Sequence, residues 1–135
     1  MEFIFPVRVY YEDTDVAGVV YYANYLKFME RGRTEWMRTL GADQDVLIDQ
    51  GVAFAVRKAE VEYYKPARFN DALNVITSLE QVRGASVVFH QKICPADDPE
   101  TVFCEGRIKV VCVTMSTMQP RAIPASLLED MRRDS

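Results

Sequence analysis

The segment Asp13-Thr14-Asp15-Val16-Ala17-Gly18 carries two carboxylates and a glycine just before the strongest helical pattern in the chain. A carboxylate can act as a general base or as a nucleophile. The first N–H groups of a helix have no partner within it, and a Ser, Thr, Asp or Asn cap normally binds one of them. Val19, Val20 and Tyr21 stand at this helix entry and cannot cap it. A helix that starts near Tyr22 would offer free N–H groups to a carbonyl oxygen, next to an aspartate.

Two structural explanations of the same residues stay open. Asn24 could cap a helix that starts later, and Asp13 or Asp15 could fold back as a cap. The Asp-Thr-Asp pattern also resembles the start of a calcium loop. Ala17 stands at the third ligand position and Asn24 where the bidentate glutamate belongs, so we reject a calcium site.

Motifs for other chemistries are absent from the sequence. It has no G-x-S-x-G, no P-loop and no G-x-G-x-x-G. The only histidine, His90, falls on a predicted strand, where a half-buried structural role is more common than pairing with a nucleophile. Cys94, Cys104 and Cys112 form no CxxC or Cys/His cluster, which predicts reduced thiols, no zinc site and a cytoplasmic protein.

Length and charge narrow the classes of protein further. The chain has 135 residues, which predicts one domain over 1–135. With 16 Lys and Arg against 20 Asp and Glu its net charge is −4, so nucleic acid is not an expected partner. The N-terminus turns acidic by Glu12, unlike a signal peptide, and no run of 18 apolar residues predicts a membrane span.

Hydrophobic periodicity predicts one long amphipathic helix that ends at Gly41. It is about 18 residues long, or roughly 27 Å, and its apolar positions are Tyr22, Tyr25, Leu26, Met29, Trp36 and Leu40. Gly32, in the middle of this helix, predicts close packing against another backbone. Arg33 falls within the apolar stripe and is predicted to pair with Glu30, one turn away.

The rest of the chain is mainly extended. Residues 3–10 predict a strand, near a sheet edge because Pro6 lacks an N–H group. The other predicted elements are a short helix or loop over 42–51, strands over 52–64, 72–82, 86–94 and 101–114, a turn at Arg83-Gly84-Ala85, and a helix over 125–132. This order predicts an α+β domain whose antiparallel sheet carries helix on one face. One helix cannot cover both faces of five strands, so a dimer is expected.

Four stretches carry a more specific pattern: YYEDTDVAGVVYYANYLKFMERGRTEW at 10–36, VRKAEVEYYKPARFND at 56–71, RGAS at 83–86, and VVCV followed by QPRAIP within 110–124. In this order they resemble the hotdog-fold acyl-CoA thioesterases of the 4-hydroxybenzoyl-CoA thioesterase family, and more closely the Tol-Pal-associated YbgC branch. The resemblance implies a five-stranded antiparallel sheet wrapped around one long central helix. It also implies homodimers or homotetramers with active sites at the subunit interface, an acyl-CoA substrate, and no metal or other cofactor.

The resemblance also assigns roles to single residues. The family's catalytic aspartate falls on Asp15, and the backbone amide that polarises the thioester carbonyl falls on Tyr22. The serine and arginine near the nucleotide phosphates fall on Ser86 and Arg83. The remaining expected substrate contacts are Gly18, Val20, Tyr21 and Tyr25.

Two positions depart from the family pattern. The close branch usually has histidine where this chain has Tyr22, although a backbone amide acts whatever its side chain. Pro66 stands where the hydroxybenzoyl enzyme has an active-site threonine, so the resemblance does not extend to that substrate.

The primary hypothesis is therefore an acyl-CoA thioester hydrolase in which Asp15 activates water or attacks the carbonyl itself. Glu30 is the next candidate carboxylate. Arg57, Lys58 and Lys65 could also meet the CoA phosphates. The rival hypotheses are a non-catalytic module that binds acyl-CoA or acyl-carrier protein, and an interaction protein of a cell-envelope or lipid-synthesis complex. The sequence leaves the acyl group open.

Overall fold

A strongly curled antiparallel sheet forms the body of the protein, in a computed structural model that describes residues 1–41 and 44–135. Its strands are β1 (Phe3–Arg8), β2 (Val52–Tyr63), β3 (Ala72–Val82), β4 (Ser86–Pro95), β5 (Cys104–Thr114) and the short β6 (Gln119–Pro120). The order across the sheet is β1-β3-β4-β5-β2, with β6 added to β5. The helices are α1 (Asn24–Thr39), α2 (Gln44–Asp49) and α3 (Ala125–Asp134), and one 3₁₀ turn covers Tyr11–Asp13.

Helix α1 is the predicted long helix, and its apolar side fills the concave face of the sheet. Its buried residues recur every three or four positions, as a helix packed on one side requires; they include Tyr25, Phe28, Met29, Gly32 and Trp36. The start at Tyr22 was wrong: the helix begins at Asn24 and has 16 residues. The Asn24 N–H donates to Tyr21 O (2.8 Å), which makes a separate turn of Tyr22 and Ala23 before the helix.

The packing of Gly32 is as close as predicted, but its neighbours are side chains of β3 and β4. A Cβ at Gly32 would lie 2.9 Å from Val75 Cγ1 and 3.2 Å from Thr77 Oγ1. Arg33 forms no salt bridge with Glu30, its candidate partner, in the described structure, although the charge of Glu30 opposes the lowering of the Arg33 pKa by burial. Arg33 Nη1 instead donates to Gln91 Oε1 (3.0 Å), on the sheet beneath the helix.

The two edge strands of the sheet are relevant to the pairing of one copy of the chain with another. β1 is an edge strand, as Pro6 predicted. β2 is the other edge and is 12 residues long; it bonds to β5 on one side, and no described strand lies on the other. A bulge between Val56 and Lys58 interrupts its register with β5.

Two parts of the sheet differ from the sequence prediction. The last long strand begins at Cys104, because 101–103 form an extended connection with a bend at Phe103. Strand β6 forms although Pro120 breaks the pattern, since Pro120 pairs at the sheet edge with Val113. Positions 42 and 43 of the predicted 42–51 segment lie outside the described residues. Among the described helices, none combines the length and apolar character needed to cross a bilayer.

Candidate active site

Asp13 holds the frame of the loop between β1 and α1. It is buried, and its two carboxylate oxygens accept from the Tyr10 N–H (2.8 Å) and from Asn24 Nδ2 (2.9 Å). Its own carbonyl accepts the Tyr21 N–H (2.8 Å). These bonds tie the 3₁₀ turn to the first residue of α1, so this carboxylate is fully used in structure. It caps no N–H group of α1, and the N-cap residue of α1 is Ala23, whose side chain cannot cap.

Asp15 lies two residues further on and is exposed. Its Oδ1 accepts the Ala17 N–H (2.9 Å), and its carbonyl accepts the Gly18 N–H (3.0 Å). Gly18 has a φ of 79°, which a residue with a side chain rarely adopts. Within the described residues no donor binds Oδ2, so one carboxylate oxygen remains available to a substrate or a water molecule.

Tyr22 presents its backbone N–H beside this loop. Neither the Tyr22 nor the Ala23 N–H donates to an acceptor in the described chain. The peptide that carries the Tyr22 N–H is fixed through its Tyr21 carbonyl, which accepts the Asn24 N–H (2.8 Å). The Tyr22 carbonyl accepts from the Tyr63 hydroxyl (3.1 Å), which fixes the next peptide, the one that carries the Ala23 N–H. Because these N–H groups also lie at the positive end of α1, they form a suitable site for an oxygen that gains negative charge.

Hydrogen bonds to the segment after β2 hold the loop between β1 and α1 in position. The Val20 N–H donates to Ala67 O (2.8 Å), and Val19 makes an isolated β-bridge with Arg68. Tyr25 Oη accepts the Ala67 N–H (3.0 Å) from the other side. Val20 and Tyr25 are buried, so both position the loop from beneath.

An aromatic pocket of 210 Å³ opens beside Tyr22. It is lined by Val20, Tyr22, Tyr25, Tyr63, Tyr64, Lys65 and Pro66. Tyr25 and Tyr63 have ring centroids 5.6 Å apart. Burial raises the pKa of both phenols, so each stays protonated at neutral pH. Tyr21 packs on Tyr22 at 5.0 Å but does not line this pocket.

Ser86 and Arg83 lie elsewhere in the same chain. They flank the β3–β4 turn, where the Arg83 N–H donates to Ser86 O (2.8 Å). Ser86 is opposite Val111, which is opposite Ala55 on β2. Ala55 and Tyr63 are eight residues apart on that strand, or about 26 Å. One copy of the chain therefore does not bring Arg83 and Ser86 to Tyr22.

Sequence reasoning missed Tyr63, whose hydroxyl binds the Tyr22 carbonyl, and Tyr64 in the pocket wall. Lys65, named as a possible phosphate contact, and Pro66, at the position of the family's threonine, line the same pocket. The signal that could have found them is the Tyr-Tyr-Lys-Pro stretch, which carried the family resemblance. None of its residues stands near Tyr22 in sequence, so only the fold makes them neighbours.

His90 and the cysteines do not join the candidate site. His90 is half-buried, and its Nε2 lies 2.5 Å from Glu105 Oε2. It alternates with buried Gln91, which places it on the outer face of the sheet, away from α1. The three thiols are buried, and burial raises the pKa of Cys104 to about 12. Over residues 1–41 and 44–135, no three His, Cys, Asp or Glu side chains are grouped as a metal would require.

A curled antiparallel sheet around one central helix, with the loop before that helix exposing a carboxylate, defines a protein of the hotdog fold. The model of the thioesterase-like superfamily matches residues 9–131, and the chain belongs to this family. The chain is 47% identical over 131 residues to the acyl-CoA thioester hydrolase YbgC of Escherichia coli O6:H1, covering 97% of this chain and 96% of that protein.

Solved structures agree with this assignment. A probable thioesterase from Bartonella henselae is 31% identical, with a TM-score of 0.80 over 91% of this chain and 98% of its own. A DHNA-CoA thioesterase from Staphylococcus aureus is 21% identical and has a TM-score of 0.91, covering 98% of this chain and 89% of that one. The second likeness concerns the fold alone.

Proposed function

We propose that this chain hydrolyses acyl-CoA thioesters, with Asp15 as the general base or nucleophile and the Tyr22 backbone amide as the oxyanion donor. The observation that carries the proposal is the free Tyr22 N–H, in a peptide fixed by the hydrogen bond from the Asn24 N–H to the Tyr21 carbonyl, seven residues after an exposed carboxylate. Membership of the thioesterase-like superfamily and the name of the E. coli relative support the reaction class.

The reaction follows from these groups. The thioester carbonyl oxygen accepts from the Tyr22 N–H, which polarises the carbonyl carbon. Asp15 takes a proton from water, and the hydroxide formed attacks that carbon. The tetrahedral intermediate collapses by breaking the C–S bond, and the electron pair leaves on the CoA sulfur. A thiolate is a good leaving group, so no strong general acid is needed. If Asp15 attacks the carbonyl carbon directly, the C–S bond breaks, CoA leaves as a thiolate, and the mixed anhydride of Asp15 and the acyl group is then hydrolysed by water to the free acid and the Asp15 carboxylate.

A second copy of the chain completes this site in our proposal. β2 is a long edge strand, and Val56 and Tyr63 on it are exposed, as is Tyr22, whose ring packs against Tyr63. Contiguous exposed apolar surface and a free edge are features that soluble proteins cover. Antiparallel pairing of two β2 edges about a two-fold axis places the Tyr63 end of one copy near the Val52 end of the other. That pairing also brings the partner copy's 83–86 turn toward Tyr22.

This assembly supports Arg83 and Ser86 as phosphate contacts for a CoA bound at the other copy's Tyr22. It is a homodimer or a pair of dimers. A monodisperse monomer at micromolar concentration in light scattering would contradict it. The same opening could admit the thioester of an acyl-carrier protein.

The test of the reaction is thiol release from a panel of acyl-CoA thioesters, from acetyl to palmitoyl and benzoyl. Asp15→Asn is expected to lose turnover by about 10²–10⁴-fold, with substrate binding retained. Glu12→Gln is the matched control, because Glu12 is an exposed carboxylate in the same segment with no hydrogen bond in the described structure.

Near-wild-type hydrolysis by Asp15→Asn would overturn the role of Asp15. If the protein hydrolyses a carrier-protein thioester but no CoA thioester, its substrates would be thioesters of acyl-carrier protein. Hydrolysis of neither would favour a binding module.

A further inference from the structure

A second cavity lies along α1, beyond the aromatic pocket. It has a volume of 240 Å³ and is enclosed by α1, α2, β2, the sheet interior and α3. Most of its wall is apolar, including Met37, Phe54, Val56, Val87, Phe89 and Val110. Ligand pockets usually measure about 300–1,000 Å³. This cavity therefore suits an alkyl or aryl group but is too small for a nucleotide.

Exposed side chains lie between the two pockets. Leu26 and Glu30 are one turn apart and form an exposed row on α1, and Tyr22 lies in the turn just before the helix. Tyr22 lines the aromatic pocket, and Glu30 lines the second cavity. From Asn24, the first residue of α1, to Arg33 the distance along the helix axis is about 14 Å. An acyl chain whose carbonyl binds at Tyr22 can follow this row into the cavity.

The guanidinium of Arg33 stands in this otherwise apolar wall. Its Nη1 donates to Gln91 Oε1 (3.0 Å). Gln91 is itself fixed, because its Nε2 donates to Met29 O (2.9 Å) and to Thr77 Oγ1 (2.9 Å). Arg33 therefore has a fixed orientation, set by a neutral amide.

Arg33 has donors left over. No carboxylate of a described residue forms a salt bridge with it, and its Nε and Nη2 donate to no described acceptor. No fully buried side-chain nitrogen of the described structure lacks a partner, so these two atoms reach open space. Glu30 is the other charged residue of the cavity wall, and its carboxylate accepts from Thr34 Oγ1 (3.0 Å).

We propose that this cavity binds the far part of the acyl group and that Arg33 is a specificity-determining residue, favouring an acyl chain that ends in a carboxylate over one that ends in a methyl group. The inference rests on the proposed function, since it takes the thioester to lie at Tyr22. An oxygen anion at the chain end receives charge-assisted bonds from the free donors of Arg33. A methyl group at the chain end displaces water from those donors and accepts no hydrogen bond in its place, which is unfavourable.

The test compares dodecanoyl-CoA with the monothioester of dodecanedioic acid, which has the same length and a free carboxylate at its far end. Wild type is expected to show the higher kcat/KM for the carboxylate substrate. Arg33→Met should lower that preference on the order of tenfold to a hundredfold, the usual weight of bonds to a charged group. Arg33→Lys keeps the charge without the planar fork and should retain part of the preference.

Arg38→Met is the control, because Arg38 is exposed on the same helix and pairs only with Glu35. Thermal unfolding confirms that each variant is folded. An unchanged ratio of the two substrates in folded Arg33→Met would overturn the proposal.

Calorimetric binding of decanoate separates this inference from the reaction itself. Wild type and Arg38→Met should bind decanoate equally, and Arg33→Met should bind it at least about tenfold more weakly. If no CoA thioester is hydrolysed, the proposed function fails while this binding difference still supports the cavity. Equal binding by Arg33→Met and wild type would overturn the cavity assignment whatever the activity.

Discussion

Replacing Gly32 by alanine tests how tightly the central helix is packed on the sheet. Alanine has the higher helix propensity, by about 1 kcal/mol in an exposed helix. Here the new Cβ would stand 2.9 Å from Val75 Cγ1, 3.2 Å from Thr77 Oγ1 and 3.3 Å from Gln91 Nε2. All three side chains are buried, and Val75 is stiff at χ1, so none moves aside without disturbing its own neighbours.

The magnitude follows from these two opposing effects. Overpacking of a close-packed core costs typically about 1–3 kcal/mol, and three blocked neighbours place Gly32→Ala in the upper half of that range. Subtracting the gain in propensity leaves a loss of about 1–2 kcal/mol in the free energy of unfolding. For a domain of this size each kcal/mol lowers Tm by roughly 3–5 °C. The displaced Gln91 amide also reorients Arg33, so the change should reach the second cavity.

The assay is urea unfolding followed by circular dichroism, with Gly84→Ala measured beside Gly32→Ala. Gly84 is exposed in the β3–β4 turn, and a Cβ there would meet no atom within 4 Å. Its substitution should change the free energy of unfolding by less than about 0.5 kcal/mol. If Gly32→Ala were as stable as wild type or more so, helix propensity would outweigh packing and the close contact with β3 would be refuted.

Two further predictions concern the titrating groups. The hydrogen bond from His90 holds the pKa of Glu105 below its ordinary value. A carboxyl with a depressed folded pKa stabilises the protein above its ordinary pKa of about 4.3 and loses that contribution as the pH falls further. His90→Gln should therefore lower stability near pH 6, by under about 1 kcal/mol because the pair is partly exposed, and should match wild type near pH 3. The difference in free energy of unfolding between wild type and His90→Gln is measured by urea unfolding. An equal difference at both pH values would contradict the role of His90 in lowering the pKa of Glu105. Separately, burial raises the pKa of the Cys104 thiol to about 12, and the thiols of Cys94 and Cys112 are also buried with raised pKa. Ellman's reagent should therefore titrate no thiol of the native protein at pH 8 and all three in guanidinium, and prompt native labelling would show that this part of the sheet opens.

The sequence predicted those parts of the fold that local pattern determines. The apolar period placed Tyr25, Met29 and Trp36 correctly on the buried face of α1, whereas Tyr22 and Leu26, predicted on the same face, are exposed. The missing N–H of Pro6 indicated an edge strand. Both depend on residues that are near one another in the chain. The same reasoning placed the start of α1 two residues too early, because Tyr22 and Ala23 are held outside the helix by contacts with the Tyr21 carbonyl and with Tyr63.

The partner of Arg33 is a clearer example of a contact that the local sequence does not determine. Glu30 is one helical turn away and is the natural choice from sequence. Gln91 is 58 residues away, and it reaches Arg33 only because β4 passes beneath α1. For the candidate site, the loop from Asp13 to Tyr22 was recognisable from its residues, whereas the hydrogen bond from the Tyr63 hydroxyl depends on the closed fold.

Asp13 and Asp15 have identical side chains in two different environments. One carboxylate is enclosed by the Tyr10 and Asn24 donors, and the other stands in solvent two residues later. With Asp15 in its proposed catalytic role, a selection that reads only activity in cells would score both positions as intolerant, one through the amount of folded protein and the other through turnover of each folded molecule. Evolution of a new activity on this scaffold can change the outer aspartate alone, because the frame that carries the loop is built from a different residue.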